Sequence, residues 1–236
     1  MNTRNHQYEY VGIGLYTLPE AASLLRTSRR TIRRWMQGHD YSKAGSKHHV
    51  APLWTPDILH VDGEIELSFR DLIELRFVQA FVAKGLHLTA IRNCLNYAKE
   101  CIQSDRPFLT GKFRTDGRTI FLESQERLEA SHEAKLLDLR VKQFVFKSVV
   151  EQTFRDLDLE DGLVSSWRPF KGKVSIVIDP KRSFGQPIAA LTGIPTIALA
   201  EAVKAEKSVA RVAKLFEVER KVVQDAVNFH VELLVA

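Results

Sequence analysis

Residues 17–38 contain two short helical patterns separated by a three-residue turn, and this segment limits the possible folds more than any other part of the chain. Thr17 and Glu20 have the spacing of a capping box, and the apolar residues that follow are Leu18, Ala21, Ala22 and Leu25. Ser28 is placed to cap a second helix, which Gly38 would end and whose apolar stripe is Ile32, Trp35 and Met36. Two amphipathic helices this short, joined by so tight a turn, predict a helix-turn-helix.

Five arginines lie on or beside the second predicted helix: Arg26, Arg29, Arg30, Arg33 and Arg34. Four of them form i,i+4 pairs, and like charges at that spacing repel each other on a helix. Residues 1–50 carry eight Lys/Arg and three Asp/Glu, whereas residues 51–236 carry 26 of each. The positive excess therefore coincides with this helix, which indicates a surface that binds a polyanion; a solvated basic surface is the alternative.

We expect the helix over residues 29–37 to enter the major groove of double-stranded operator DNA. Its arginines would contact phosphates and a guanine edge, and hydroxyls near the helix start would donate to phosphate. A polar loop over residues 41–51 would add contacts to the DNA backbone. The predicted DNA-binding residues are Arg26, Thr27, Ser28, Arg29, Arg30, Thr31, Arg33, Arg34, Lys43 and Lys47.

The whole chain predicts a mainly α fold with small β hairpins. Asp62-Gly63 and Asp116-Gly117 are hairpin-turn dipeptides, and the first hairpin would be the wing of a winged helix. Further helices are predicted after Ser68 and over residues 88–101, 141–154, 196–205, 208–216 and 219–234, with strands over 164–169 and 174–178. The predicted domains are a flexible arm (1–15), a winged-helix DNA-binding region (16–120), a helical connector or dimerisation region (121–156) and a C-terminal domain with a small β part and three helices (157–236).

Several classes of function are excluded by the sequence. The apolar runs are too short to cross a bilayer and the first residues lack a signal peptide's apolar segment, so we expect a cytoplasmic protein without membrane binding. Gly12-Ile-Gly14 lacks the third glycine of a dinucleotide loop, and His48-His49 lacks further ligands at metal spacing. We therefore predict a protein that is not an enzyme, with no catalytic residue, cofactor or metal. Cys94 and Cys101, seven apart, are predicted to be two buried small side chains.

Two parts of the chain resemble known families. The first half resembles the MerR-like winged-helix group at Tyr16-Thr-Leu-Pro-Glu-Ala-Ala22, at 28–35, at 67–77 and at 85–92. The second half is similar to domain-of-unknown-function family 433 at Ile178-Asp-Pro180, Phe184-Gly-Gln-Pro187, Gly193-Ile-Pro195, 208–213 and 222–226. That family usually has Gly-Thr-Arg before Ile-Pro, where this chain has Leu191-Thr192-Gly193. The combination resembles the larger VapB-like antitoxins of type II toxin–antitoxin operons.

The resemblance to VapB-like antitoxins implies a PIN-domain ribonuclease toxin that is neutralised by protein–protein binding, and repression of the chain's own operon. Residues 190–236 carry six Lys/Arg and six Asp/Glu, and this neutral segment suits a protein interface with the toxin or a second copy. A truncation ending near Leu157 would then keep the DNA contacts. The alternative function is a stand-alone MerR-like transcriptional regulator that responds to a small molecule.

A homodimer is expected because one winged helix contacts only a few base pairs and a two-fold dimer doubles the contact. The apolar helices over residues 71–82 and 141–154 are candidate dimer interfaces, and equally candidates for the core of the monomer.

Overall fold

The computed structural model describes residues 12–43, 45–58, 64–126 and 134–235. Within these ranges the protein is mainly helical with short antiparallel strands, which confirms the predicted fold class. The helices are α1 (Leu18–Leu25), α2 (Arg29–Gln37), α3 (Phe69–Ala83), α4 (Leu88–Ile102), α5 (Gly111–Glu126), α6 (Ala134–Phe154), α7 (Thr196–Glu206), α8 (Val209–Leu215) and α9 (Arg220–Val235). The strands are β1 (Tyr16–Thr17), β2 (His39–Lys43), β3 (Ser46–Val50), β4 (Glu66–Leu67), β5 (Leu157–Glu160), β6 (Leu163–Trp167), β7 (Ile176–Ile178) and β8 (Pro187–Ala189). None of the helices described is both long enough and apolar enough to span a bilayer.

The chain forms two compact units that do not follow its linear order. One, here called the terminal unit, contains the described residues up to 69 together with those from 165 to 235. The other, the central unit, contains residues 70–164. The four domains predicted along the sequence remain a prediction.

Helices α1 and α2 begin and end where the capping residues place them. The Thr17 hydroxyl accepts from the Glu20 backbone N–H, and the Glu20 carboxylate accepts from the Thr17 N–H, which completes the capping box. Ser28 caps α2 by accepting from the Thr31 N–H at 3.0 Å. Gly38, with φ of +74°, follows α2, and a Cβ at this position would overlap the Val50 carbonyl of β3.

A β hairpin occupies the segment for which the sequence predicts a polar loop. Strands β2 and β3 pair antiparallel from His39–Val50 to Lys43–Ser46, so the predicted polar loop over residues 41–51 is wrong. The sequence conceals these strands because both faces are largely exposed and polar, and no apolar alternation marks them. The turn predicted at Asp62-Gly63 lies outside the described residues. The following strand β4 pairs with β1 instead.

The C-terminal part of the terminal unit packs three helices behind short strands. β7 pairs antiparallel with both β6 and β8. Helices α7, α8 and α9 surround a core of Ala189, Leu199, Val212, Ala213, Val223 and Ala226. Asp225 of α9 accepts from the Lys173 ammonium and the Ser175 hydroxyl, both at 2.7 Å, which ties the loop before β7 to this helix. The predicted strands and helices of this region are confirmed to within a few residues.

The central unit is built around phenylalanine. Helices α3 to α6 and the turn before α5 bury Phe77, Phe81, Phe108, Phe113, Phe121, Phe146 and Phe154. The rings of Phe81 and Phe121 stack on Phe146 with centroids 4.5 Å and 4.4 Å away. The apolar faces of the predicted helices over 71–82 and 141–154 therefore serve as monomer core, although Phe144 of α6 is 76% exposed.

Two sequence predictions fail in the central unit. Asp116-Gly117 lies inside α5 and forms no hairpin, because Phe113, Ile120 and Phe121 bury one helical face and the Phe113 ring packs where a Gly117 side chain would lie. Cys94 is buried as predicted, whereas Cys101 is exposed. Cys101 lies in the last turn of α4, one residue away from the buried stripe that ends at Ile102.

Candidate nucleic-acid interface

Helix α2 buries one face and presents arginines on the other. Ile32, Trp35 and Met36 are buried, as predicted. Arg29, Arg30 and Arg33 are exposed, and among the described residues no ion-pair partner contacts them. Cations left without a counter-ion on one helical face repel each other, and a bound polyanion would relieve this repulsion.

Two of the five arginines are held by protein groups. The guanidinium of Arg34 lies 2.6 Å from Nε2 of His39, the first residue of β2. Arg26, which takes a left-handed conformation at the end of α1, donates to the Glu232 carboxylate of α9 at 3.0 Å. Arg34 is therefore fixed towards the hairpin, and Arg26 is fixed towards the C-terminal helix.

The hydroxyl residues gather at the start of α2. The Ser28 and Thr31 hydroxyls lie 2.8 Å apart, and Ser28 Oγ also accepts from the Thr31 N–H. Thr27 is half-buried, and its N–H donates to the Ala22 carbonyl at 3.0 Å. Cap formation therefore occupies Ser28, while the positive end of the α2 dipole faces the same region.

The β2–β3 hairpin continues the basic surface from the end of α2. Lys47 is exposed in β3, opposite Ser42, and Lys43 ends β2. The Tyr41 and His48 rings stack with centroids 5.1 Å apart. A shallow groove of about 430 Å³ between helix and hairpin is lined by Arg30, Arg33, Arg34, Gln37, Gly38, His39, Asp40 and Tyr41. Of the predicted residues, the structure thus brings Arg30, Arg33 and Arg34 of α2 together with the first residues of β2.

The acidic and histidine side chains of this surface pair with each other. His49 Nδ1 lies 2.6 Å from the Asp40 carboxylate, and both groups are exposed. Within the described ranges, no group of three or more His, Cys, Asp or Glu side chains is arranged to hold a metal ion.

Contacts between α1 and the C-terminal residues were missed by sequence reasoning. Besides the Arg26–Glu232 pair, the Tyr16 hydroxyl donates to the Gly185 carbonyl at 2.8 Å, and burial raises the pKa of this phenol. The Leu15 N–H donates to the Phe184 carbonyl at 3.0 Å. Partners more than 160 residues apart leave no local pattern, although a polar tyrosine at a buried helix start is a weak signal for such a bond.

The fold and the basic surface define a mainly helical protein with a candidate DNA-binding face. The chain is 28% identical over 193 residues to a Mycobacterium tuberculosis protein named "Putative antitoxin VapB45", covering 77% of this chain and 79% of that protein. It also resembles the crystal structure of Rv2018 from Mycobacterium tuberculosis, with a TM-score of 0.69 and 22% identity, covering 92% of this chain and 99% of the other. The second likeness concerns the fold alone. No protein-family model matches the chain.

Proposed function

We propose that this protein is an antitoxin that binds its operator DNA through α2 and neutralises a toxin by direct binding. The observation that carries the DNA-binding part is the exposed face of Arg29, Arg30 and Arg33, which no described carboxylate neutralises. Helices α1 and α2 would form the helix-turn-helix, and the β2–β3 hairpin would be its wing. The similarity to VapB45 supports the antitoxin part.

The basic and hydroxyl residues would contact different parts of the DNA. Arg29, Arg30 and Arg33 would reach into the groove or along its edge, while Lys47 would contact the backbone from the hairpin. Thr31, near the α2 start, would donate to a phosphate at the positive end of the helix dipole. Arg26 would join the phosphate contacts only when it leaves Glu232.

The DNA-binding proposal is tested by the salt dependence of affinity for duplex DNA from the region upstream of the coding sequence. Replacing Arg30 and Arg33 together by alanine is expected to weaken binding and to reduce the slope of log K against log salt by up to about two, since each lost phosphate contact removes about 0.9. The matched control is Arg220→Ala with Lys221→Ala, which removes two exposed positive charges from the start of α9.

The control also tests the C-terminal helices as a second DNA reader. Helices α8 and α9 are joined by a short turn as in a helix-turn-helix, but residues 190–236 have no net charge. We expect the Arg220/Lys221 variant to keep the wild-type slope. A slope that changes in the control and not in the α2 variant would move the DNA-binding surface to the C-terminal helices.

The toxin partner is proposed to be a PIN-domain ribonuclease, as the VapB-like pattern implies. The test is growth of cells that express the neighbouring reading frame with and without this chain. Growth arrest that is rescued by this chain, and co-purification of the two proteins, are the expected results. Rescue by a variant lacking Arg30 and Arg33 would show that neutralisation requires no DNA contact. Absence of any toxicity would favour the second candidate function.

The second candidate is a stand-alone regulator that responds to a small molecule. It is favoured by a cavity that lies between α1 and the C-terminal helices α7 and α9. Cys94 is not expected to be the sensor, because burial raises the pKa of its thiol and so suppresses the reactive thiolate.

We further propose that the protein acts as a homodimer. One α2 helix and one hairpin cover a single half-site, and a two-fold dimer would place two of them on a palindromic operator. Sedimentation or light scattering should give about twice the 26.9 kDa chain mass. A monomer mass at micromolar concentration, with and without DNA, would exclude this arrangement.

A further inference from the structure

A cavity of about 230 Å³ lies between α1 and the C-terminal helices α7 and α9. Much of its wall is apolar and comes from both parts of the terminal unit: Leu15, Leu24, Pro187, Ile197 and Leu233. The cavity is open to solvent on one side, where Leu15 and Ile197 are exposed, and its volume exceeds that of an engineered apolar cavity of about 150 Å³ that binds benzene. The space is therefore suited to one substituted ring or a branched aliphatic group.

The polar groups of the wall are already oriented by the protein. The Thr196 hydroxyl donates its single proton to the Pro187 carbonyl at 3.1 Å. The Thr196 oxygen lies 3.0 Å from His230 Nε2, and since its own proton goes to Pro187 it accepts from this ring nitrogen. Burial, with Lys204 nearby, lowers the pKa of His230 against the opposing effect of Glu201, which favours the uncharged imidazole.

Glu20 gives the cavity its charge. It is the one acidic side chain among the described residues that line the space. Its Oε2 accepts from the Thr17 hydroxyl at 2.7 Å and from the Thr17 N–H at 2.8 Å. No cation pairs with Glu20 among the described residues, so the carboxylate keeps its negative charge available at the wall.

We propose that this cavity is a binding site for a small organic cation with an aromatic or branched apolar group. The apolar part would lie between Leu24, Ile197 and Leu233, and the ammonium group would be stabilised by Glu20. The neutral imidazole of His230 places no repelling charge nearby. Such a ligand contacts α1 and the C-terminal helices at once and so stabilises their association. The proposal requires neither operator DNA nor a toxin, so it stands or falls separately from the proposed antitoxin function; it deepens the second candidate function, whose small molecule would bind here.

The test uses the full chain and three probes of matched shape: phenethylamine, phenylacetate and ethylbenzene. Saturation-transfer NMR titrations should show saturable binding of phenethylamine. Phenylacetate should bind at least about tenfold more weakly than phenethylamine, because Glu20 repels its carboxylate. Glu20→Gln, which keeps the capping box, should weaken the amine about threefold and leave ethylbenzene unchanged.

Blocking the cavity provides the positional control. Ile197→Trp should abolish binding of phenethylamine, because Ile197 is partly exposed at the cavity wall and a larger side chain fills the space. Leu215→Trp, at an exposed position of α8 outside the cavity, should leave binding unchanged. If Ile197→Trp does not fold, Ile197→Phe serves as the smaller block. Any of three results would overturn the proposal. These are no saturable binding of phenethylamine, binding of phenylacetate as tight as that of phenethylamine, or binding of phenethylamine by the folded Ile197 variant as tight as by the wild type.

Discussion

Glu74 is a carboxyl group buried within the phenylalanine-rich central unit. Its Oε1 accepts from the Phe108 N–H at 3.2 Å, while Oε2 has no hydrogen-bond partner among the described residues. Burial raises the pKa of Glu74 to about 8, against the opposing effects of Arg106 and the Phe108 N–H. In the folded protein the side chain is therefore mostly protonated at neutral pH, whereas in the unfolded chain it is ionised.

The raised pKa of Glu74 predicts a stability that falls with pH. Its contribution is fully present below the ordinary pKa of about 4.5 and is lost progressively as pH rises to about 8, because unfolding releases the proton. Glu74→Gln mimics the protonated form. We expect this variant to be more stable than the wild type at pH 8, by a few kcal/mol at most, and similar to it at pH 5. Urea titrations at several pH values measure this difference.

The matched control for Glu74 is Glu151→Gln in α6. Glu151 is exposed and pairs only loosely with Lys147, at 3.6 Å. Its replacement should leave the pH dependence of the unfolding free energy unchanged. Equal pH profiles for the wild type and Glu74→Gln would show that Glu74 is ionised inside the folded protein.

At the scale of single elements, the turn between α1 and α2 is held to α9. Glu232 accepts from Lys171 at 2.6 Å and from Arg26 at 3.0 Å. Both cations lower the pKa of Glu232, Lys171 first, so the carboxylate stays ionised at neutral pH. Arg26 thereby has a protein partner close to the proposed DNA surface, and this partner competes with phosphate.

We predict that Glu232→Gln strengthens binding of upstream duplex DNA. Freed from its carboxylate, Arg26 should gain a phosphate contact, and the slope of log K against log salt should steepen by up to about 0.9. Glu217→Gln removes the same charge from the turn before α9 and is the control. An equal gain in both variants would indicate a general effect of net charge, without any role for Arg26.

Local chemistry determined which elements could be predicted. The bounds of α1 and α2 follow from Thr17, Ser28 and Gly38, because caps depend on neighbouring residues alone. The β2–β3 hairpin was missed because a polar, exposed ribbon lacks the alternation that marks a strand. Asp116-Gly117 gave the opposite error: a hairpin turn is predicted where α5 forms, since burial of the α5 face outweighs the turn preference of two residues.

At the scale of the whole molecule, the first and last parts of the sequence fold against each other. Leu24 of α1 packs on the cluster formed by Phe170, Ile176 and Phe229. The Ser23 hydroxyl donates to the Leu233 carbonyl at 3.3 Å, across 210 residues of sequence. No periodicity, cap or charge pattern encodes such pairings, and so the α1 contacts of the candidate site were not predictable from sequence.

These contacts change what a truncation is expected to do. A fragment ending near Leu157 loses the Phe170 cluster and α9, which leaves Leu24 and Tyr16 uncovered. We therefore predict that this fragment alone binds upstream DNA much more weakly than the full chain and binds a hydrophobic dye. Co-expression of residues 165–236 as a separate chain should restore DNA binding and prevent dye binding, and the two fragments should co-purify.

In that experiment, Gly185→Ala is the informative variant, because a Cβ there overlaps the Tyr16 hydroxyl and should prevent reassociation. Gly85→Ala in the first fragment, where φ is similarly positive and the added Cβ would meet open space, tests the same change where no contact is lost. Full DNA affinity of the isolated fragment would instead show that α1 and α2 fold independently of the C-terminal residues.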